Sequence, residues 1–225
     1  MQGLIFIPEI SGFTEFVNSI NIDLGVSITS DLLNGIIDDN CLDLELSEIE
    51  GDAVLYYKIG NPIPLEDVFN CFQHMYEAFD RRYQHWKLLY NIQADLSLKL
   101  IVHYGDILVY DLKGFKKLYG ETVIESHHLL KSSSRTSEYI LITKDYVKAL
   151  KQNMSDVFVN EVNDFEFNPY TSPLYTGVKK IAYYFFSTIK KASKISKRIT
   201  EKKSAYNMYL AVGGEGTSLY PWLLQ

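Results

Sequence analysis

The chain has 225 residues, 47% of them hydrophobic, which is enough for one sizeable core and leaves no compositional sign of disorder. A formal net charge of -6 argues against a general nucleic-acid binder, whose phosphate contacts call for a basic surface. Two cysteines, Cys41 and Cys71, without a CxxC pair, offer no disulfide framework for so large a chain and suit a reducing compartment, where both are expected to be buried small apolar residues.

The N-terminal "MQGLIFIPEI" has no basic n-region and too short an apolar run for an export signal, and no stretch reaches the length of a membrane span. A cytoplasmic location is therefore expected. Residues 4 to 8 read as a buried strand that ends in Glu9 and breaks into the glycine turn Ser11-Gly12-Phe13-Thr14. Ile28, Leu32, Leu33, Ile36 and Ile37 then recur at helical spacing. In "LDLELSEIEGDAVLYYKIG" two alternating runs flank Gly51-Asp52, the pattern of a β-hairpin.

A helix is expected just after Pro64, with Leu65, Val68, Phe69, Phe72, Met75, Tyr76 and Phe79 as its apolar stripe. "LSLKLIVHYGDILVYDL" suggests a strand pair broken at Gly105, with His103 a satisfied, half-buried strand residue. "GETVIESHHLLKSS" reads as a short helix with Val123, Ile124, His127 and Leu130 on one side. A strand at "EYILIT", a helix at "KDYVKAL" and strands at "DVFVNEV" and "KKIAYYFFST" complete a mixed α+β pattern. From Ile189 to Lys203 there are seven basic residues against Glu201 alone, a net +6, which leaves 15 basic and 27 acidic residues, net -12, elsewhere. That asymmetry sets the expected boundary between a folded domain, 1–188, and a C-terminal tail, 189–225, basic and then apolar. The tail's Ile189, Ala192, Ile195 and Ile199 fit one helical face, and its lysines suit the acidic body or an anionic surface.

The segments "EISGFTEF", "EIEGDAVLYY", "IVHYG" and "YGETVIESHHLL", in this order and spacing, resemble the class III adenylate and guanylate cyclase homology domain. More narrowly they are similar to a bacterial family of cyclase-like proteins of unknown function with an "ISGFT" start and an "EIEGDA" hairpin. The resemblance covers about residues 3 to 145. It implies a ferredoxin-like α+β fold with a central, mostly antiparallel sheet flanked by helices, and a head-to-tail homodimer with its sites at the interface.

By position the resemblance makes Glu9 and Asp52 ligands of two divalent ions, Mg²⁺ or Mn²⁺, for which carboxylates are suitable hard oxygen donors. It brings Ser11, Gly12, Phe13 and Thr14 toward the phosphates of a nucleoside triphosphate. Glu48 and Lys117 fall at the base-selecting positions, where their combination matches neither purine pattern. Ile124 stands where the family has a ribose-binding asparagine, and His128 where it has the transition-state arginine. Isoleucine cannot hydrogen-bond ribose, and histidine lacks the planar, permanently charged fork of arginine. The expected function is thus a metal- and nucleotide-binding signalling module with degenerate cyclase activity. An active nucleotidyl cyclase and a purely structural dimeric domain are the alternatives. Adjacent histidines on a helix point about 100° apart, so His127 and His128 do not share an ion, and one is expected to pack while the other faces the dimer cleft.

Overall fold

The computed structural model describes residues 1–131, 138–152, 170–171 and 181–186. A seven-stranded sheet forms its centre, in the order β2 (Glu45–Glu50), β3 (Ala53–Ile59), β1 (Gln2–Ser11), β4 (Ser97–Asp106), β7 (Ile140–Thr143), β9 (Ala182–Phe186) and β8 (Tyr170–Thr171). β1 lies between β3 and β4, antiparallel to both, and Leu4, Ile5, Phe6 and Ile7 are fully buried. This two-sided burial is why the strand reads as a continuous apolar run rather than an alternation. Pro8 has no N–H to give the ladder, and β1–β3 pairing lapses at Ile7 and Pro8 before resuming at Glu9 opposite Ala53. β4 pairs in parallel with β7, which is antiparallel to β9, itself paired with β8.

One sheet face is covered by α2 (Ile22–Asp38), α3 (Leu65–Tyr90) and α5 (Lys144–Gln152). The stripe expected after Pro64 is that core: Val68, Phe69, Phe72, Met75 and Phe79 are all buried. Arg82 of α3 reaches Asp31 of α2 at 2.5 Å, and Trp86 donates its indole N–H to the other oxygen of Asp31 at 2.8 Å, which fixes the two helices against each other. The opposite face is covered by α4 (Glu121–Lys131) and by a separate hairpin, β5 (Leu108–Leu112) and β6 (Phe115–Tyr119).

Several expectations shift. β4 runs through Gly105 and breaks at Ile107, and β5 pairs with β6 instead of folding back on β4. Gly105 is needed for another reason, since a Cβ there would collide with Thr122 at the start of α4. In β2 the alternation is broken by a bulge between Leu46 and Glu48, so Leu46 and Ile49 are exposed rather than core. Cys71 is buried as expected, but Cys41 is exposed. The strand expected at "DVFVNEV" and the tail from 189 lie outside the described residues. No helix among the described residues is long and apolar enough to cross a membrane.

Candidate functional site

β1 ends beside the β2–β3 turn, and the backbone holds them together: Ile10 N–H donates to the Asp52 carbonyl at 2.9 Å, and Glu9 is the register partner of Ala53. Glu9 on β1 and Asp52 in the β2–β3 turn therefore lie at the same end of the sheet. Gly51 adopts φ 60°, the left-handed conformation that the hairpin turn before Asp52 requires. Burial pushes the Glu9 carboxyl above its usual range, and the nearby Asp52 charge adds to that, while Lys99 offsets it in part. Asp52 is likewise pushed up, mainly by burial, with Lys99 again opposing.

Lys99 is the feature that sequence reasoning missed. It is the register partner of Glu9 on β4, and its Nζ lies 2.9 Å from Glu9 Oε2, both side chains being only 16% exposed. The same ammonium lies 5.8 Å from the centre of the Tyr139 ring. In sequence it is visible as the one charge within the apolar run Leu98 to Val102. A lone lysine in an otherwise apolar strand between two buried neighbours needs a counter-charge, and Glu9 supplies it. As for fit, the two carboxylates are oxygen donors suited to a hard divalent ion, but one of their two negative charges is already balanced from within the chain.

Gly12 has φ 83°, and a Cβ there would run into the backbone carbonyl of Asp95, so this turn needs glycine for packing reasons alone. Ser11 ends β1, and Phe13 and Thr14 open α1 (Phe13–Ser19), a helix of seven residues. Glu48 and Lys117 face each other: Lys117 Nζ donates to Glu48 Oε2 at 2.5 Å, and Glu48 raises the pKa of Lys117. His127 joins them, with Nε2 3.7 Å from Glu48 and Nδ1 3.7 Å from Glu50. Glu48 and Lys117 also line an open cleft of about 570 Å³ between β2 and the β5–β6 hairpin, together with Leu46, Leu112 and Phe115. Lys116 donates to Glu45 at 2.7 Å, so two ion pairs hold the hairpin to the sheet edge.

The helix carrying Ile124 and His128 turns another side to the core. Thr122, Glu125, Ser126 and Leu129 are its buried residues, whereas Ile124 is 54% exposed and Val123, His127 and Leu130 are half-buried. Polar residues take the inward side because each finds a partner there, Glu125 through one of its two oxygens. Ser126 donates back to the Thr122 carbonyl at 2.8 Å, and Glu125 meets His103. His103 is 1% exposed, more deeply buried than expected, with Nε2 2.8 Å from Glu125 and Nδ1 2.8 Å from Thr143 Oγ1. His127 and His128 are both half-buried, so neither packs fully away.

Comparison with known proteins agrees with this architecture. Residues 29–139 match a family model described as "Protein of unknown function (DUF2652)". The uncharacterized protein Rv2561/Rv2562 of Mycobacterium tuberculosis is 26% identical over 144 residues, 60% of this chain and 66% of that protein, so the chain spans just under two thirds of that relative's length. Among solved structures, the adenylyl cyclase CyaB from Pseudomonas aeruginosa superposes with a TM-score of 0.61 at 14% identity, covering 83% of this chain and 94% of that one. The guanylyl cyclase Cya2 gives 0.58 at 16% identity over 82% and 90% of the two chains. A class III adenylyl cyclase-like ATP-binding protein from Pseudomonas aeruginosa gives 0.57 at 13% identity, covering 87% of this chain and 40% of that one. The chain thus has the fold of the class III nucleotidyl cyclases, and over residues 29–139 it is similar to a family whose function is unknown.

Proposed function

We propose that the chain is a cyclase-homology module that binds a divalent ion at Glu9 and Asp52, and with it a nucleoside triphosphate, while cyclising that nucleotide very slowly or not at all. The observation that carries this reading is a split within one fold. The β1 end and the β2–β3 turn bring the two carboxylates to one end of the sheet, while the sequence resemblance assigns Ile124 and His128 of α4 to the positions where ribose and the developing phosphate charge need donors. Groups that act mainly in the transition state can be lost with little loss of binding. A neighbour of the same fold described as an adenylyl cyclase-like ATP-binding protein supports a binding role for such a domain.

In this reading Glu9 and Asp52 hold the ion, Mg²⁺ or Mn²⁺, and Lys99 is an internal counter-ion that competes with it. The bound ion would supply charge neutralisation for the phosphates; the loop Ser11 to Thr14 passes close to that end of the sheet, and the Glu48–Lys117 cleft is the place for the base. A second copy completes the site. The exposed apolar residues Leu108, Leu112, Phe115 and Tyr119 of the hairpin and Ile124 of α4 form the kind of surface an interface covers.

Calorimetric titration of Mn²⁺, and of ATP and GTP in its presence, tests the reading alongside an assay for cyclic products. Binding that weakens at least about tenfold in Asp52→Asn, with cyclic product at background, is the expected result. Lys99→Met should tighten Mn²⁺ by about tenfold, because one competing positive charge is gone. Equal Mn²⁺ affinity in wild type and both variants would refute the metal assignment, and rapid wild-type formation of a cyclic nucleotide would show a working cyclase.

A further inference from the structure

A second constellation lies away from the acid pair. His103 on β4, Glu125 on α4 and Asp145 in the first turn of α5 each bring one donor atom to within 4.8 Å of the other two. His103 and Glu125 are 1% and 5% exposed, and Asp145 is partly exposed. One Glu125 oxygen, Oε2, meets His103 Nε2 at 2.8 Å. The other, Oε1, is buried and accepts no hydrogen bond among the described residues. A buried carboxylate oxygen without a donor is costly, and the residues nearest to it in this cluster are an imidazole and another acid. A cation would balance that arrangement.

We propose that His103, Glu125 and Asp145 form a site for a divalent transition-metal ion of the Zn²⁺ type, separate from Glu9 and Asp52. Two carboxylates and a neutral imidazole cancel a charge of +2, which offsets the electrostatic cost of burying Glu125 beside a second acid. A mixed nitrogen and oxygen set suits Zn²⁺ rather than Mg²⁺, which prefers oxygen ligands and keeps its water. The outer partner of the imidazole is already in place. Thr143 Oγ1 lies 2.8 Å from Nδ1 and also accepts the Tyr146 N–H at 3.3 Å, so it is anchored at the start of α5. Its hydroxyl can accept from Nδ1–H and leave Nε2 free to ligate, which is how a second partner orients a metal-binding histidine.

Tetrahedral ligands on Zn²⁺ stand about 3.4 Å apart. A rotation of the partly exposed Asp145 side chain toward the buried pair closes the remaining gap and also marks the route of entry. An ion held there ties β4, α4 and α5 together, and α4 is the helix that carries Ile124 and His128.

The test is a titration of chelator-treated, full-length protein with Zn²⁺ and with Co²⁺ as a coloured substitute. The expected result is one equivalent of Zn²⁺ retained in the Glu9→Gln/Asp52→Asn double variant, with visible Co²⁺ absorption of a nitrogen- and oxygen-ligated ion and a Zn²⁺-dependent rise in melting temperature. Asp145→Asn should weaken Zn²⁺ by at least about tenfold. Because Asp145 is partly exposed, that variant is expected to fold and decides the matter even if Glu125→Gln does not. Wild-type protein that takes up no Zn²⁺, an Asp145→Asn affinity equal to wild type, or uptake that disappears in the Glu9→Gln/Asp52→Asn variant would each overturn the proposal. The last of these would place the ion at the acid pair while leaving the reading of that pair intact.

Discussion

Lys99 decides how the acid pair behaves without metal. Burial raises the carboxyl pKa of both Glu9 and Asp52, and a raised pKa makes the protonated form the one the folded state prefers. That contribution is fully present below the ordinary carboxylate range, about pH 4, and is lost as pH rises through the higher folded values. The metal-free protein should therefore give up some stability between acid and neutral pH on account of these two groups. Asp52→Asn removes part of that loss without unpairing Lys99. Urea unfolding of the metal-free variant should show a gain over wild type of up to about 1 kcal/mol at pH 7 and little or none near pH 4. Lys99→Met is the opposite case. It leaves two neighbouring carboxylates with no counter-charge and should cost about 2 kcal/mol at pH 7 in the absence of metal, measured the same way, with added Mn²⁺ restoring part of it. Glu9 and Asp52 could be picked out of the sequence because each sits at a break in an apolar run. Lys99 and Glu125 could not be assigned roles, because a single charge inside a strand or helix does not say which distant residue it meets. Glu9 and Lys99 are ninety positions apart, and His103 and Glu125 are on different elements.

At the level of elements, α4 explains why local pattern failed where it did. The stripe Val123, Ile124, His127 and Leu130 has helical spacing and marks one side of the helix, yet the helix buries Thr122, Glu125, Ser126 and Leu129. Periodicity finds a face but does not tell whether the chain's own core or a second molecule covers it, and the buried pairing of Glu125 with His103 settles the rotation. The elements legible in advance were those with one dominant determinant: α3 with its long stripe after Pro64, β1 with its unbroken apolar run, and the β2–β3 turn at Gly51. The β5–β6 hairpin was not legible, since its turn at Lys113 and Gly114 lies inside charged residues and its strands expose their apolar side chains. The exposure of Ile124 gives a clean experiment. Ile124→Asn should change stability by less than about 0.5 kcal/mol, as surface substitutions do. If the proposed function holds, combining it with His128→Arg restores a ribose donor and a phosphate fork, and cyclic-nucleotide formation with Mn²⁺ should rise from background by at least about tenfold. Product that does not require Asp52 would show that the gain arises elsewhere.

For the molecule as a whole, the two sheet faces are unequal. Three helices bury the first, while α4 and a two-stranded hairpin leave the second with apolar side chains in solvent, Phe115 72% and Tyr119 71% exposed among them. Hairpin strands of five residues, held to β2 by the ion pairs of Lys116 and Lys117, are not a stable end to a sheet by themselves. Ion pairs as exposed as Lys116–Glu45 contribute little. A partner that covers Leu112, Phe115 and Tyr119 would supply what the hairpin's own contacts do not, and a second copy of the chain offers the same surface in return. Light scattering on the full chain should accordingly give twice the 25.9 kDa monomer mass at micromolar concentration. Replacing Leu112 and Phe115 with aspartate puts two charges into the covered patch and should shift the mass to that of the monomer, while circular dichroism stays that of the wild type because both side chains are exposed within one chain. Because Leu112 and Phe115 also line the cleft assigned to the base, the same pair of substitutions should abolish nucleotide binding whether or not a second copy completes the site, yet leave Mn²⁺ affinity at Glu9 and Asp52 nearly unchanged, since both acids belong to one chain. A mass of 25.9 kDa over the whole accessible concentration range would remove the dimer and, with it, the role given to the hairpin.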